Sequence, residues 1–503
     1  YLATFTLRAD GSSKFGRGHR WGVFPSLAVA WRMSDENWLK NAKWLSNLKA
    51  RLSFGTAGNN RISSGLLQTT YSITATGNKH AAFNEITSTQ LDHNTTLYNP
   101  NLKWETTVTR NFGFDYGFFQ GRLNGTLDFY WNTTRDLLMK VEIPSSTGYQ
   151  YQYQNYGQTS NKGVEFTVNS VFIQSKNFNL NGTVNISWNK NKIDKLNSEN
   201  PWQSSNFAGS TFSKYQDFRV AEGGSLGEVW GYKNNGFYTV YDAGLNPNGE
   251  LILNSNGKWA LRDGVKDNSY TLTGGNLYPG GMKVEVDENG DPVKQKLGNT
   301  IPKVTGGFGL NGNWGNFDFN VFFDYSLGNQ IVNGTKLANS FYTGSAKNYN
   351  LVADFNLANR YSWIDPLTGD NLGSGISTNI INAYGGVDNI MKRLCQLNAN
   401  AQIWNPAAAS TMPIVSYAVE NASFLRLNTV TIGYTLPKRW LKKAFINSIR
   451  IYGSAYNLFC ITSYDGYDPE VDTSSKNNPM CPGIDYAAYP KARSFVGGIN
   501  VTF

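Results

Sequence analysis

The stretch Phe495-Val-Gly-Gly-Ile-Asn-Val-Thr-Phe503 closes the chain and decides how the rest is read. Side chains alternate across a strand with period 2, so Phe495, Gly497, Ile499, Val501 and Phe503 share one face. Ser494, Val496, Gly498, Asn500 and Thr502 share the other. One face is mostly apolar and the other mostly small and polar. In a soluble sandwich the apolar face would meet a core; in a membrane barrel it would meet lipid, with the polar face toward a wet lumen. One strand cannot separate these readings, but its repetition along the chain can.

Working outward, the same alternation recurs. Phe317, Phe319, Val321, Phe323, Tyr325 and Leu327 alternate with Asn316, Asp318, Asn320, Asp324 and Ser326. Phe178, Leu180, Val184, Ile186 and Trp188 alternate with Asn179, Asn181, Thr183, Asn185, Ser187 and Asn189. A row of amides is a poor soluble core and a good wet lumen. Further strands are read at 1–9, 20–32, 48–56, 104–116, 123–131, 161–172, 304–314, 424–435 and 449–458, giving twelve in all.

The connections carry the second half of the argument. Counted from the first, the odd ones are long or polar (10–19, 57–103, 135–158, 191–301, 328–421, 460–493). The even ones are short turns or short helical linkers. One such helix is predicted after Ser34, with Trp38, Leu39, Ala42 and Leu45 at helical spacing; another opens at Pro437, with Trp440, Leu441, Ala444 and Phe445. Strict long-short alternation belongs to antiparallel neighbours in a transmembrane barrel; a sandwich or propeller has no reason to put every long loop at one end. The fold class is therefore all-β, a transmembrane antiparallel β-barrel with long extracellular loops. By the same parity, a terminal strand ending on the short-turn side puts Phe503 in the periplasm.

Composition agrees. Only 16% of the 503 residues are charged while 14% are aromatic, and there are 51 glycines. An average domain carries about a quarter charged residues. No apolar run reaches the ~18 residues of a membrane helix, a test that barrel strands escape. The net charge of +9 is scattered, with one dense cluster at Lys438, Arg439, Lys442 and Lys443, so a nucleic-acid partner is not predicted. Cys395, Cys460 and Cys481 match no metal spacing. Cys460 and Cys481 could close a loop in an oxidising compartment, and the odd count leaves one thiol over. The chain opens inside an alternating strand at Tyr1-Leu-Ala-Thr-Phe-Thr-Leu-Arg8 with no signal peptide, as a fragment beginning mid-fold would.

Six stretches in register carry a resemblance. They are Arg8-Ala-Asp-Gly-Ser-Ser-Lys-Phe-Gly16, Phe24-Pro-Ser26 with Ala30-Trp-Arg32, Asn99-Pro-Asn-Leu-Lys-Trp-Glu105, Asn161-Lys-Gly-Val-Glu165, Asn457-Leu-Phe459 and Tyr464-Asp-Gly-Tyr-Asp-Pro-Glu470. Together they resemble the SusC/RagA-type TonB-dependent outer-membrane transporters. The resemblance implies a 22-stranded barrel, of which 1–503 would be the last twelve strands, the plug domain and first strands lying outside this chain. It also implies import of oligosaccharides or peptides with a SusD-like surface lipoprotein, coupling to TonB through the missing N-terminal part, and contact with outer-membrane lipid. No cofactor is implied.

Chemistry-bearing constellations are sparse. No nucleophile elbow, metal triad or phosphate loop occurs, so an enzyme is not predicted. A passive porin or a surface adhesin is the rival reading. Asp287, Asn289 and Asp291 stand at calcium-loop spacing, but Pro292 replaces the required glycine and Gly298 stands where the last carboxylate belongs. An Asn289-Gly290 hairpin turn is predicted instead. Asp465, Asp468, Glu470 and Asp472 form a weak metal candidate, with a loop held by Pro469 as the competing reading. Loop aromatics suit sugar faces and peptides alike, so Trp202, Phe207, Phe212, Tyr215, Trp363 and Trp404 are the candidate substrate-binding residues.

Overall fold

The computed structural model describes residues 1–66, 71–74, 81–83, 86–88, 90–93, 95–196, 201–203, 216–242, 259–342, 350–441, 446–473 and 480–503, with backbone alone over 71–93. Twelve long strands form one sheet in chain order, each antiparallel to the next. They are β1 Leu2–Gly11, β2 Trp21–Arg32, β3 Leu45–Asn59, β4 Glu105–Phe118, β5 Leu123–Arg135 and β6 Gln158–Gln174. The second half holds β7 Phe178–Lys195, β8 Val304–Trp314, β9 Phe317–Leu327, β10 Phe424–Thr435, β11 Ser448–Thr462 and β12 Ser494–Thr502. All twelve predicted strands are present, several extended at the end that carries the long loops.

Register makes the two faces explicit. Val29, Leu52, Phe112, Phe129, Val164, Trp188, Val304 and Leu327 lie opposite one another in a single row across β2 to β9. A neighbouring row on the other face reads Arg51, Gly113, Asp128, Glu165, Ser187, Thr305 and Ser326. Because the period is 2, a one-residue slip of any strand would invert its faces, so these rows lock the register. Phe5, Leu7, Leu52, Phe54 and Ile432 on the apolar face remain exposed, an arrangement that water penalises and lipid rewards. Exposed Trp44, Phe119, Trp314, Phe317 and Trp440 mark the short-turn end of that face, and Trp21, Trp131 and Trp188 the loop end. From Phe178 to Trp188 along β7 the backbone runs roughly 33 Å. A tilt of ~40° reduces this to about 25 Å, the height of the apolar band of an outer-membrane barrel.

The polar face is cross-linked. Arg51 on β3 reaches over Gly113 to pair with Asp115 at 2.7 Å and with Asp128 on β5 at 3.0 Å. Arg450 on β11 reaches over Gly433 to Asp318 on β9 at 2.5 Å. In both places a Cβ on the glycine would collide with the ion pair, so the intervening strand needs its glycine. Amides pair side by side, Asn179 with Asn313 at 2.9 Å and Asn181 with Asn311 at 3.2 Å.

The linkers differ from expectation at one point. After β2 the chain forms a 3-10 turn, Met33–Asp35, and then a run of tight turns rather than a helix capped by Ser34. Leu39 donates to Glu36 and Ala42 to Leu39 through i to i−3 backbone bonds. Leu45 is drawn into β3, where its pairing with Phe118 removes the last apolar residue of the supposed helix. The second linker does hold a helix, α1 Lys438–Leu441; Ala444 and Phe445 lie outside the described residues.

The described residues of 196–303, 328–423 and 463–493 pack together in one apolar cluster, and those of the first two loops in a second. Short ladders stitch them: Val419–Asn421, Gln330–Asn333 and Ile484–Asp485 combine segments of all but the first. Tyr232 of the first bridges Val415 of the second. A helix unforeseen in the sequence, α2 Val387–Leu397, packs Ile390, Met391 and Leu394 into the second of these clusters.

Candidate functional site

The site is the region where the polar face of the sheet meets the folded loops. Its parts follow from the motifs. Phe15 and Leu102 are both fully buried and share a cluster with Ile62, flanked by Trp104. Gly16 abuts the Pro100 carbonyl so closely that any Cβ would clash, and the Trp104 Nε1–H donates to the Arg20 carbonyl at 3.1 Å. The Arg8–Gly16 and Asn99–Glu105 motifs thus meet in one packed joint between neighbouring loops. Asn457 sits in a left-handed conformation at a bulge between β10 and β11, and its Nδ2 donates to the Ala492 carbonyl at 3.1 Å. Bulges re-aim strands near functional rims.

The acidic cluster resolves into ion pairs, with Asp468 and Glu470 sharing Arg426. Asp468 is buried and accepts from the Arg426 guanidinium at 2.6 Å and from the Lys491 backbone N–H at 3.1 Å. Glu470 pairs with Lys491 at 2.5 Å and Asp465 with Lys336 at 3.0 Å. Asp472 turns to the Ile484 N–H at 3.4 Å. Burial works against the charge of Lys336, but hydrogen bonds to Asp465 and Glu420 outweigh it and raise its pKa. Among the described residues no three His, Cys, Asp or Glu side chains converge on one point. Asp468 and Glu470 tie the last loop to β10, and Asp465 ties it to the 328–423 loop. Asp287 accepts from the N–H groups of Asn289 and Asp291 while Gly290 takes a positive φ, the hairpin turn predicted there. The three cysteines are separate thiols.

The candidate aromatics divide. Trp404 is 2% exposed, packs edge-on against Phe355 and Tyr417, and donates to the Ser340 carbonyl at 3.2 Å. Trp363 is buried and donates to the Pro279 carbonyl at 2.7 Å, tying the second long loop to the first. Both presently face the loop core rather than solvent. Trp202 is half-buried, edge-on to Trp230 at 5.6 Å, with the Lys294 ammonium 4.3 Å above its ring. Phe207, Phe212 and Tyr215 lie outside the described residues. Sequence reasoning missed Trp230, whose ring also stacks under Arg219 at 4.9 Å. It missed Asp365 too, buried and gripped by the Arg393 guanidinium at 2.7 and 2.8 Å. That pairing holds the Asp365 carboxyl well below the usual carboxylate range, with burial opposing it less strongly. An Asp-Arg pair 28 residues apart gives no local signal in the sequence.

A cavity of about 440 Å³ opens where the loops leave β8, β9 and β10, lined by Asp324, Tyr325, Phe424, Glu470 and Asp472 among others. A larger groove of about 800 Å³ runs along the loop end of β7.

Comparison with known proteins places this architecture. The TonB-dependent receptor P3 of Formosa agariphila is 31% identical over 516 residues, which is all of this chain and 44% of that protein. The TonB-dependent receptor SusC of Bacteroides thetaiotaomicron is 30% identical over 509 residues, again all of this chain and 42% of that protein. The structure of the RagAB peptide transporter superposes with a TM-score of 0.69 at 22% identity, over all of this chain and 45% of that one. The chain therefore spans less than half the length of the relatives it matches. Residues 1–278 match the family described as TonB dependent receptor-like, beta-barrel, and with the two-faced antiparallel sheet this makes the chain a member of that outer-membrane β-barrel family.

Proposed function

We propose that this chain is the later part of the barrel of an active importer. It would carry oligosaccharides or peptides across the outer membrane with a SusD-like lipoprotein, powered by TonB through a segment outside this chain. The observation that carries the reading is the sheet itself, apolar on one face and carrying Asn, Asp and Arg on the other, with folded loops at one end. An amide-rich wall offers donors and acceptors to sugar hydroxyls and peptide groups alike. The names of the relatives support the same class: one is SusC, and the solved neighbour is a peptide transporter.

In this reading the long loops are extracellular and Phe503 is periplasmic. Trp202, with Trp230 beside it, and Phe207, Phe212 and Tyr215 contact substrate, while Trp363 and Trp404 act by shaping the loops. Tyr467 and Tyr489, 81% and 89% exposed on the last long loop, suit contact with the lipoprotein. The test is uptake in a strain lacking the full-length gene, with oligosaccharides and peptides supplied separately. Loss of growth on one class, reproduced by deleting the partner lipoprotein or TonB, supports the proposal. Uptake independent of both would leave a passive porin.

A further inference from the structure

The outward face of the sheet carries cations that the import reading does not use. At the loop end of β5 to β7, Lys162 is level with Trp131 and directly opposite Lys190, which stands two residues beyond Trp188, and Lys192 follows two residues on. Like charges facing each other across a strand pair are destabilising. All three are exposed, and none of them, nor Lys303, makes an ion pair among the described residues. β8 begins at Val304, opposite Trp188; beyond that point β7 is flanked by the loops, the Asn189 N–H donating to the Lys303 carbonyl and the Ile193 N–H to the Gly224 carbonyl. A groove of about 800 Å³ at this junction is lined by Trp131, Lys162, Lys190, Lys192 and Lys303 among others. Of the two carboxylates in its lining, Asp194 accepts from Ser160 Oγ and Gln158 Nε2, and Glu228 is paired with Lys296, which also lines the groove, at 2.8 Å.

We propose that this groove is a binding site for the phosphorylated headgroup of an anionic glycolipid in the membrane leaflet at the loop end, with its acyl chains on the apolar face below. The argument is one of level and charge. The cations start where the tryptophans stop, at headgroup height, and a phosphate between Lys162 and Lys190 would convert their repulsion into two attractions. Trp131 and Trp188 supply the apolar wall beneath. The inference rests on the outer-membrane placement of the barrel and is independent of what it imports.

The experiment is native mass spectrometry of the full-length receptor in detergent, titrated with lipid A, with dephosphorylated lipid A, and with inorganic phosphate. The comparison is with K162Q/K190Q/K192Q/K303Q; K438Q/R439Q at the opposite end serves as control, and the heat-shifted gel mobility of folded barrels verifies each variant. Phosphorylated lipid should bind the wild type and the control, with occupancy falling about fivefold per lysine removed. Equal binding to the wild type and the quadruple variant, or equal binding of the dephosphorylated lipid, would overturn the proposal. Saturation by inorganic phosphate alone, without preference for lipid, would overturn it in favour of a free-anion site. Failure of the wild type to fractionate with outer membranes would instead refute the functional reading.

Discussion

Arg426 on β10 and Asp468 on the last long loop meet at 2.6 Å with side chains 5% and 3% exposed, so the loop is pinned to the sheet by a charge pair removed from water. Arg426 Nε has no protein partner even with that pair intact. Removing Asp468 would leave the buried guanidinium with only the longer contact to Glu470, at 3.4 Å. We expect Asp468→Asn to cost about 3–5 kcal/mol, and the double change Arg426→Met with Asp468→Leu to cost less than the single one. Thermal unfolding and limited proteolysis of the 463–493 loop read both. A single variant that melts like the parent would refute the pin.

The two kinds of loop tryptophan should separate cleanly. Trp404→Ala empties a fully packed position and is expected to lower stability by ~3–5 kcal/mol. Trp202→Ala removes a half-buried ring and should leave the melting temperature nearly unchanged while lowering uptake. Paired melting and transport measurements distinguish them; matched loss of both properties in both variants would mean that Trp202 is structural as well.

Sidedness predicts an asymmetry between sequence neighbours. Val184 lies on the apolar face and Asn185 on the polar one. Val184→Lys should cost about 2–4 kcal/mol near the bilayer midplane, whereas Asn185→Lys should be tolerated. Folding yields in lipid vesicles, scored by gel mobility, give the answer, and equal yields would contradict the assignment of faces.

Glycine at 433 is required by a bridge rather than by a turn. A Cβ there would meet both Arg450 and Asp318 at 2.5 Å. Gly433→Ala should therefore separate the pair and destabilise the barrel by ~1–3 kcal/mol. Asp318→Asn in the Gly433→Ala background should then add little, because the interaction it removes is already gone. Additive losses would count against the bridge.

Asp365 supplies a pH dependence. Its folded pKa is held below the ordinary value of 3.8 by Arg393, so its stabilising contribution is fully present above that value and declines as pH falls below it. Protease sensitivity of the 350–400 region should rise on acidification below that point. Asp365→Asn should be sensitive already at neutral pH and show no further change from this group.

The twelve strands, the two faces and the alternation of loops were legible in the sequence because each depends on a period of 2, a local property of side-chain geometry. The terminal Phe495–Phe503 strand and the Phe317–Leu327 hairpin arm can be read without knowing their neighbours. The run after Ser34 was misread because helical spacing over so few residues is outweighed by the pull of β3 on Leu45. What only the tertiary structure decided is everything built from residues distant in sequence: Trp363 against Pro279, Arg426 against Asp468, Arg393 against Asp365, and Lys162 facing Lys190 across a strand pair. Loops without a period fold by burying whichever apolar side chains their partners complement, and that complementarity exists only once the strands have brought the loops to the same end.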